Sequence, residues 1–329
     1  MKKYLLSLLI IVSLLGLSGC GSSQGVKEQE KAEKVNLGII QIVEHPSLDA
    51  ARQGFLDALK EGGYAEGQKL IADYQNAQGD QGNLQAIARK FVQDKKDVIL
   101  AIATPSAMTM ANETSEIPIL MTAVTDPISA KLVKNLQQPG TNVTGTTDMN
   151  PVKDQLKLIK DIVPSAKRVG IIYNSSEINS AVQVEAADKV VPELDLELVK
   201  VSVSASNEVM QAAQSLVGKV DAYYLPTDNM VISSVAAVIK VAEENKIPIF
   251  TGESSSVEQG ALATVGIDYY QLGYTTGEMA LRILKGEKPQ EMAVQGQVGT
   301  DIILNLKAAE RIGLTIPKEV LAKANKTIK

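Results

Sequence analysis

Short apolar runs alternate with segments of helical spacing, and the chain carries that alternation twice. Val35 to Val43 is an apolar run suited to a strand buried on both faces. Ser47 to Glu61 sets Leu48, Ala51, Phe55 and Leu59 at helical spacing and stops at Gly62-Gly63. Lys69 to Tyr74 reads as a strand. Gly82 to Lys95 reads as a helix with Leu84, Ile87, Ala88 and Phe91 on one face. Val98 to Ala103 is a buried strand, Ser106 to Thr114 a short helix and Ile117 to Thr122 a strand, before a break at Pro139-Gly140.

The second half repeats this order. Arg168 to Tyr173, Leu194 to Val201, Ala222 to Leu225 and Ile247 to Phe250 read as strands. Ser176 to Val191, Asn207 to Val217 and Val231 to Asn245 read as the helices between them. Local echoes support a duplication. Asp97-Val98-Ile99-Leu100 leads into Thr104-Pro105-Ser106 as Asp221-Ala222-Tyr223-Tyr224 leads into Pro226-Thr227-Asp228, and Ile117-Pro118-Ile119-Leu120 is answered by Ile247-Pro248-Ile249-Phe250. Strands alternating with helices at this spacing predict an α/β fold of two Rossmann-like lobes, each a parallel sheet with helices on both faces. After these come a helix over Tyr270 to Lys285 closed by Gly286, a strand over Thr300 to Leu306, and a helix from Lys307. These are too few for a third domain. The chain is therefore expected to cross to the first lobe near Gly266 and return near Val298, giving a hinge of three crossovers.

The ends of the chain bear on where it works. Lys2 and Lys3 precede an apolar run, Leu5 to Leu17, of the length of a secretory signal and too short to span a bilayer. Leu17-Ser18-Gly19-Cys20 resembles the lipobox of bacterial lipoproteins, and Cys20 is the only cysteine. The resemblance implies cleavage before Cys20, lipidation of its thiol and acylation of the new N-terminus, enough for stable anchoring on the extracytoplasmic face of the cell membrane. Residues 1–19 are thus expected to be a signal peptide and 20–34 the lipidated cysteine with a polar tether. Residues 35–145 with 267–298 are expected to form the first lobe, and 146–266 with 299–329 the second.

Losing Lys2 and Lys3 takes the net charge from −5 to −7, with all 38 acids retained. Such a balance argues against nucleic acid as a partner. One histidine, His45, and no cysteine in the body leave no metal site built on those ligands and no cofactor to expect. There is no Walker A sequence, no G-x-G-x-x-G and no G-x-S-x-G elbow. Catalysis is therefore not expected, and His45 reads as a source of structural hydrogen bonds at the mouth of a cleft.

What remains is a set of polar loops at the carboxyl ends of the expected strands, the edge at which open α/β sheets bind ligands. They are Glu44 to Ser47, Thr104 to Ser106, Thr125 to Pro127, Asn174 to Asn179, Pro226 to Asn229 and Thr251 to Ser254, with Asp268 at a crossover. Ser47, Ser106 and Asp228 precede helices and read equally as caps. Thr104 and Ser106 at a helix start can hold a carboxylate, and Asp126, Asp228 or Asp268 can pair with an ammonium. The mixture suits a zwitterion better than a dianion. Of Tyr173, Tyr223, Tyr224, Tyr269 and Tyr270, most read as packing residues rather than ligand platforms.

Together with the lipobox, His45-Pro46-Ser47-Leu48-Asp49, Ala103-Thr104-Pro105, Thr125-Asp126-Pro127, Pro139 to Gly145, Asn174 to Ser180 and Pro226-Thr227-Asp228-Asn229 resemble the ABC-transporter substrate-binding lipoproteins of the tryptophan/tyrosine-binding type. The likeness runs from about Val35 to the C-terminus. It implies a type I periplasmic-binding-protein fold, lobes that close on an aromatic amino acid, and delivery to a permease and its ATPase by a monomer. By position it implies ligand contacts at Ser47, Thr104, Ser106, Thr125, Asp126, Ser176, Asn179, Asp228, Asn229 and Asp268. Ile42-Val43 stand where related members often carry an aromatic residue. The rivals are the same scaffold holding a branched-chain amino acid or another small solute, a surface adhesin with secondary solute binding, and an exported hydrolase.

Overall fold

The computed structural model describes residues 34–297 and 299–329. The expected signal peptide, Cys20 and most of the tether lie outside the described residues, as does Val298. The first half runs β1 (Val35–Gln41), α1 (Pro46–Glu61), β2 (Leu70–Asn76), α2 (Gln81–Gln93), β3 (Val98–Ile102), α3 (Thr104–Glu113), β4 (Ile119–Val124) and β5 (Val143–Thr147). There follow α4 (Val152–Ile162), β6 (Arg168–Asn174), α5 (Ile178–Val190), β7 (Glu197–Val203), α6 (Val209–Leu216), β8 (Ala222–Leu225), α7 (Asn229–Ser233), α8 (Val235–Asn245), β9 (Ile249–Thr251), α9 (Ser255–Gln259) and β10 (Ala263–Gly266). The last stretch is α10 (Tyr269–Leu284), β11 (Gln295–Gly296), β12 (Asp301–Asn305), α11 (Leu306–Ile312), α12 (Lys318–Leu321) and β13 (Lys326–Ile328).

These strands make two sheets, ordered β11-β5-β4-β3-β1-β2 and β13-β12-β10-β9-β8-β6-β7. All neighbours are parallel except β10 and β12, so the first sheet's strands all point one way, while in the second, expected to be wholly parallel, β12 and β13 run opposite to the other five. Connections between β5 and α4, between β10 and α10 and between β11 and β12 join the sheets. No helix among the described residues is long and apolar enough to cross a membrane.

Packing follows from the apolar runs. β3 (VILAI) and β4 (ILMTAV) are buried at every position, as central parallel strands require. Leu37, Ile39, Phe55, Leu84, Phe91 and Leu100 share one core, which also takes in Leu272 and Met279 of α10. The second sheet has a core on each face, one holding Ile171, Tyr224 and Phe250 and the other Ile172, Tyr223 and Val238. Helix α10 lies on α1 at close range. A Cβ at Gly273 would sit 1.8 Å from the carbonyl oxygen of Ala51, so only glycine permits this crossing.

Some elements differ from the sequence reading. No element was expected over β5, α4 or β10. β5 (VTGTT) lacks an apolar run, and its Gly145 has φ 138°, with the pairing to β4 shifting register between Met121 and Val124. The expected helix from Val231 to Asn245 begins earlier and breaks at Ser234 into α7 and α8. Gly273→Ala is expected to destabilise the protein by about 1–3 kcal/mol through overpacking of α1 against α10. A urea unfolding midpoint equal to that of the wild type would contradict this packing.

Candidate functional site

The carboxyl ends of the two sheets face each other across a cleft, and the loops there come together as two adjoining chambers. The inner one, about 10 Å³, is lined by His45, Leu48, Ala123, Thr125, Asp148, Asn179, Thr227, Asp228, Asn229, Ile232, Glu253 and Tyr269. That is room for a single water-sized group. The outer one, about 700 Å³, includes Ile42, Val43, Thr104, Pro105, Met108, Ser176, Ile178 and Met230 in its lining. Asn229 lines both.

Two alanines mark the first-lobe side. Ala103 at the end of β3 has φ 74°, and Ala123 in β4 has φ 55°. Positive φ in a residue with a Cβ is strain of the kind held at functional sites. The turn at Ala103 starts α3 with Thr104 and brings Ser106 into its first turn. Both hydroxyls are buried without a hydrogen-bond partner.

Four carboxylates, on Asp148, Glu177, Asp228 and Glu253, are buried here. Glu253 Oε2 accepts from Ser47 Oγ at 2.5 Å across the cleft and from Ser255 N and Oγ, while Oε1 accepts from Ser256 N and Oγ. Asp228 accepts from Asn174 N at 2.5 Å, Ser180 Oγ at 2.6 Å and, as the cap of α7, Val231 N at 2.9 Å. Glu177 accepts from Asn179 Nδ2, from Asn229 N and Nδ2, and from Met230 N. Asp148 accepts from Thr125 Oγ1 at 3.0 Å and Tyr269 OH at 2.7 Å. Burial raises the pKa of Asp148 and of Asp228. Burial and then the neighbouring Asp228 charge push Glu177 up to about 7. Among the described residues, no lysine or arginine lines either chamber, and no group of acids and histidine could hold a metal.

Unpartnered polar atoms complete the inner chamber. Asn179 gives its Nδ2 to Glu177 and to the Thr227 carbonyl, which leaves Oδ1 buried and unpaired. His45 is 8% exposed, its Nδ1 has no partner, and burial lowers its pKa, so a neutral imidazole faces the acids. Of the structural hydrogen bonds expected of His45, its side chain bonds Asn229 and its carbonyl accepts from Asp49 N.

The expected site residues fall into two groups. Thr125, Asn179, Asp228 and Asn229 line the inner chamber, Thr104, Ser176 and Asn229 line the outer one, and Ser47 bridges the lobes. Ser106 is buried behind them. Asp126 and Asp268 line neither chamber. Asp126 closes its own turn by accepting from Ile128 N and from Ser129 N and Oγ, and Asp268 is an exposed cap of α10 that accepts from Gln271 N. Tyr269 lines the inner chamber, Tyr223 and Tyr224 are core, and Tyr270 bonds Asp57 on the surface. Asp148, Glu177 and Glu253 were not among the expected contacts. Glu177 and Glu253 stood inside the polar loops singled out, and Asp148 directly follows β5, at the edge where ligands bind.

The two α/β lobes, with a polar cleft at their facing strand ends, match type I periplasmic binding protein structures in fold. The profile of the family described as "ABC transporter substrate binding protein" matches residues 36–328, and the chain belongs to this family. It is 48% identical to a tyrosine-binding protein of Clostridioides difficile (strain R20291) over 92% of this chain and 90% of that one. It is similar to a Streptococcus pneumonia ABC domain in complex with L-Trp, with TM-score 0.87 and 38% identity over 90% of this chain and 100% of that one. It is also similar to a ligand-free, open Clostridium difficile substrate binding protein with adhesive properties, with TM-score 0.67 and 48% identity over 90% and 100% of the chains.

The raised Glu177 pKa has a definite sign in stability. The folded chain keeps a proton that the unfolded chain gives up near 4.5. The contribution of Glu177 to stability is therefore fully present below pH 4.5 and is lost as pH rises through about 7. In Glu177→Gln the slope of melting temperature against pH across that window is expected to shrink, whatever the change in absolute stability. An unchanged slope would remove Glu177 as its source.

Proposed function

We propose that this protein is the extracytoplasmic receptor of an ABC importer, held to the membrane by a lipidated Cys20, and that it takes up an aromatic amino acid by closure of its lobes. The observation that carries this reading is the sorting of unpaired atoms in the cleft. The inner chamber holds the unpaired acceptor Asn179 Oδ1 and the unpartnered His45 Nδ1 beside buried carboxylates. It has the size and chemistry for one ammonium. The first turn of α3 holds unpaired hydroxyls on Thr104 and Ser106, the chemistry for a carboxylate. The outer chamber supplies Ile42, Val43, Pro105, Met108, Ile178 and Met230 for an apolar side chain. Methionines fill the role of the absent aromatic platform, since a thioether packs well on a ring.

Relatives support the ligand class: one is named for tyrosine and another was solved with L-Trp. They also support closure. The TM-score is 0.87 to the L-Trp complex at 38% identity and only 0.67 to the ligand-free, open protein at 48% identity. Ser47 bonding Glu253 across the cleft belongs to the closed arrangement. A permease would read that closed form, which ligand binding populates.

Two outcomes test the reading. Thr104→Val removes an unpaired buried hydroxyl, so the ligand-free protein is expected to melt no lower than the wild type. The same change is expected to weaken L-tyrosine or L-tryptophan binding about 10- to 100-fold, measured by titration calorimetry, because a hydrogen bond to a charged group is lost. Unchanged affinity would contradict the placement of the carboxylate. Cys20→Ser is expected to move the protein from the membrane to the soluble fraction, and retention on the membrane would contradict the anchor.

A further inference from the structure

The outer chamber is larger than an amino acid needs. A cavity of about 150 Å³ encloses a benzene ring. The aromatic ring and carboxylate of the proposed ligand therefore fill well under half of about 700 Å³. The remainder lies between Gln78 to Gln81, which follow β2, and Ser204 to Ser206, which follow β7. Both strands are sheet edges on the same side of the cleft. This part is polar and uncharged apart from Asp80, whose carboxylate is occupied in capping α2 by accepting from Asn83 N. Amide and hydroxyl side chains there, with Asn112 and Asn174 nearby, offer both donors and acceptors.

The two chambers differ in what they exclude. The inner chamber admits one water-sized group, so nothing can be attached to the ligand's nitrogen. No cation lines the outer chamber, so nothing there requires the far end of the ligand to be a free carboxylate. The unpaired hydroxyl of Thr104 can donate to a carbonyl oxygen as well as to a carboxylate.

We propose that the cleft also binds ligands extended at the carboxyl end, namely amides of aromatic amino acids and short peptides with an aromatic N-terminal residue. The inference rests on the amino acid reading above. The ammonium stays in the inner chamber, the first peptide carbonyl meets Thr104, and the next residue occupies the space between the loops after β2 and β7.

The full chain, purified in detergent, is titrated calorimetrically with L-tyrosine, L-tyrosine amide, tyrosylalanine and alanyltyrosine. The amide and tyrosylalanine are expected to bind within about tenfold of L-tyrosine. Alanyltyrosine, with its aromatic residue displaced from the ammonium, is expected to be weaker by about 100-fold or more. Binding of L-tyrosine with loss of both the amide and tyrosylalanine would overturn the proposal and leave the amino acid reading standing. Equal binding of alanyltyrosine would overturn the orientation on which it depends. Failure of L-tyrosine, L-tryptophan and L-phenylalanine alike would overturn the amino acid reading itself.

Discussion

Burying a carboxylate costs several kcal/mol unless donors replace its water, and this cleft satisfies four of them with neutral groups alone. Glu253 gathers the hydroxyls and amides at the start of α9, and Asp228 caps α7 while taking the Asn174 amide. Glu177 draws Asn179 and Asn229 together, and Asp148 fixes Thr125 to Tyr269. Asp148 ties loops on the first-lobe side, Asp228 and Glu177 tie loops of the second lobe, and Glu253 reaches Ser47 across the cleft. The cleft they line is electronegative, with no lysine or arginine among its lining residues. It repels dianions and rewards a ligand that brings its own positive charge. Asn179 Oδ1 is left unpaired because its amide nitrogen is committed to holding Glu177 and the Thr227 carbonyl.

Much of this was legible in the sequence, because parallel strands buried on both faces announce themselves. Val98 to Ile102 is an uninterrupted apolar run, Ile119 to Val124 is broken only by Thr122, and both sit at the centre of their sheet. The carboxyl-edge rule then located the loops, and Thr104, Thr125, Asn179, Asp228 and Asn229 all reach the chambers. β5 was illegible for a local reason. Its Thr-Gly-Thr-Thr sequence is buried by its neighbours and carries no periodic signal, and with β5 unseen Asp148 had no edge to belong to. Asp126 and Asp268 show the opposite error. They stand in the right loops, but backbone amides one turn ahead claim their carboxylates.

Strain and packing divide the work between the lobes. Left-handed alanines at 103 and 123 aim the loops after β3 and β4 into the cleft, a cost of about 1–3 kcal/mol each. The tight crossing of α10 on α1 at Gly273 supplies a rigid base for them. The second lobe instead uses side-chain networks, with Gln183 holding the Thr227 hydroxyl and amide and Gln155 held by Tyr224. Ser47 bonds Glu253 across the cleft, Thr125 meets Thr227 at 3.5 Å, and Ile178 packs against the first lobe's core.

The most direct test is whether the cleft recognises the ligand's ammonium. L-Tyrosine and its desamino analogue, 3-(4-hydroxyphenyl)propionate, are compared by titration calorimetry on the full chain. L-Tyrosine is expected to bind, and the analogue to bind more weakly by about 100-fold or more, because the buried acceptors of the inner chamber would stay unpaired. Equal affinity for the two would contradict recognition of the ammonium by the buried acids.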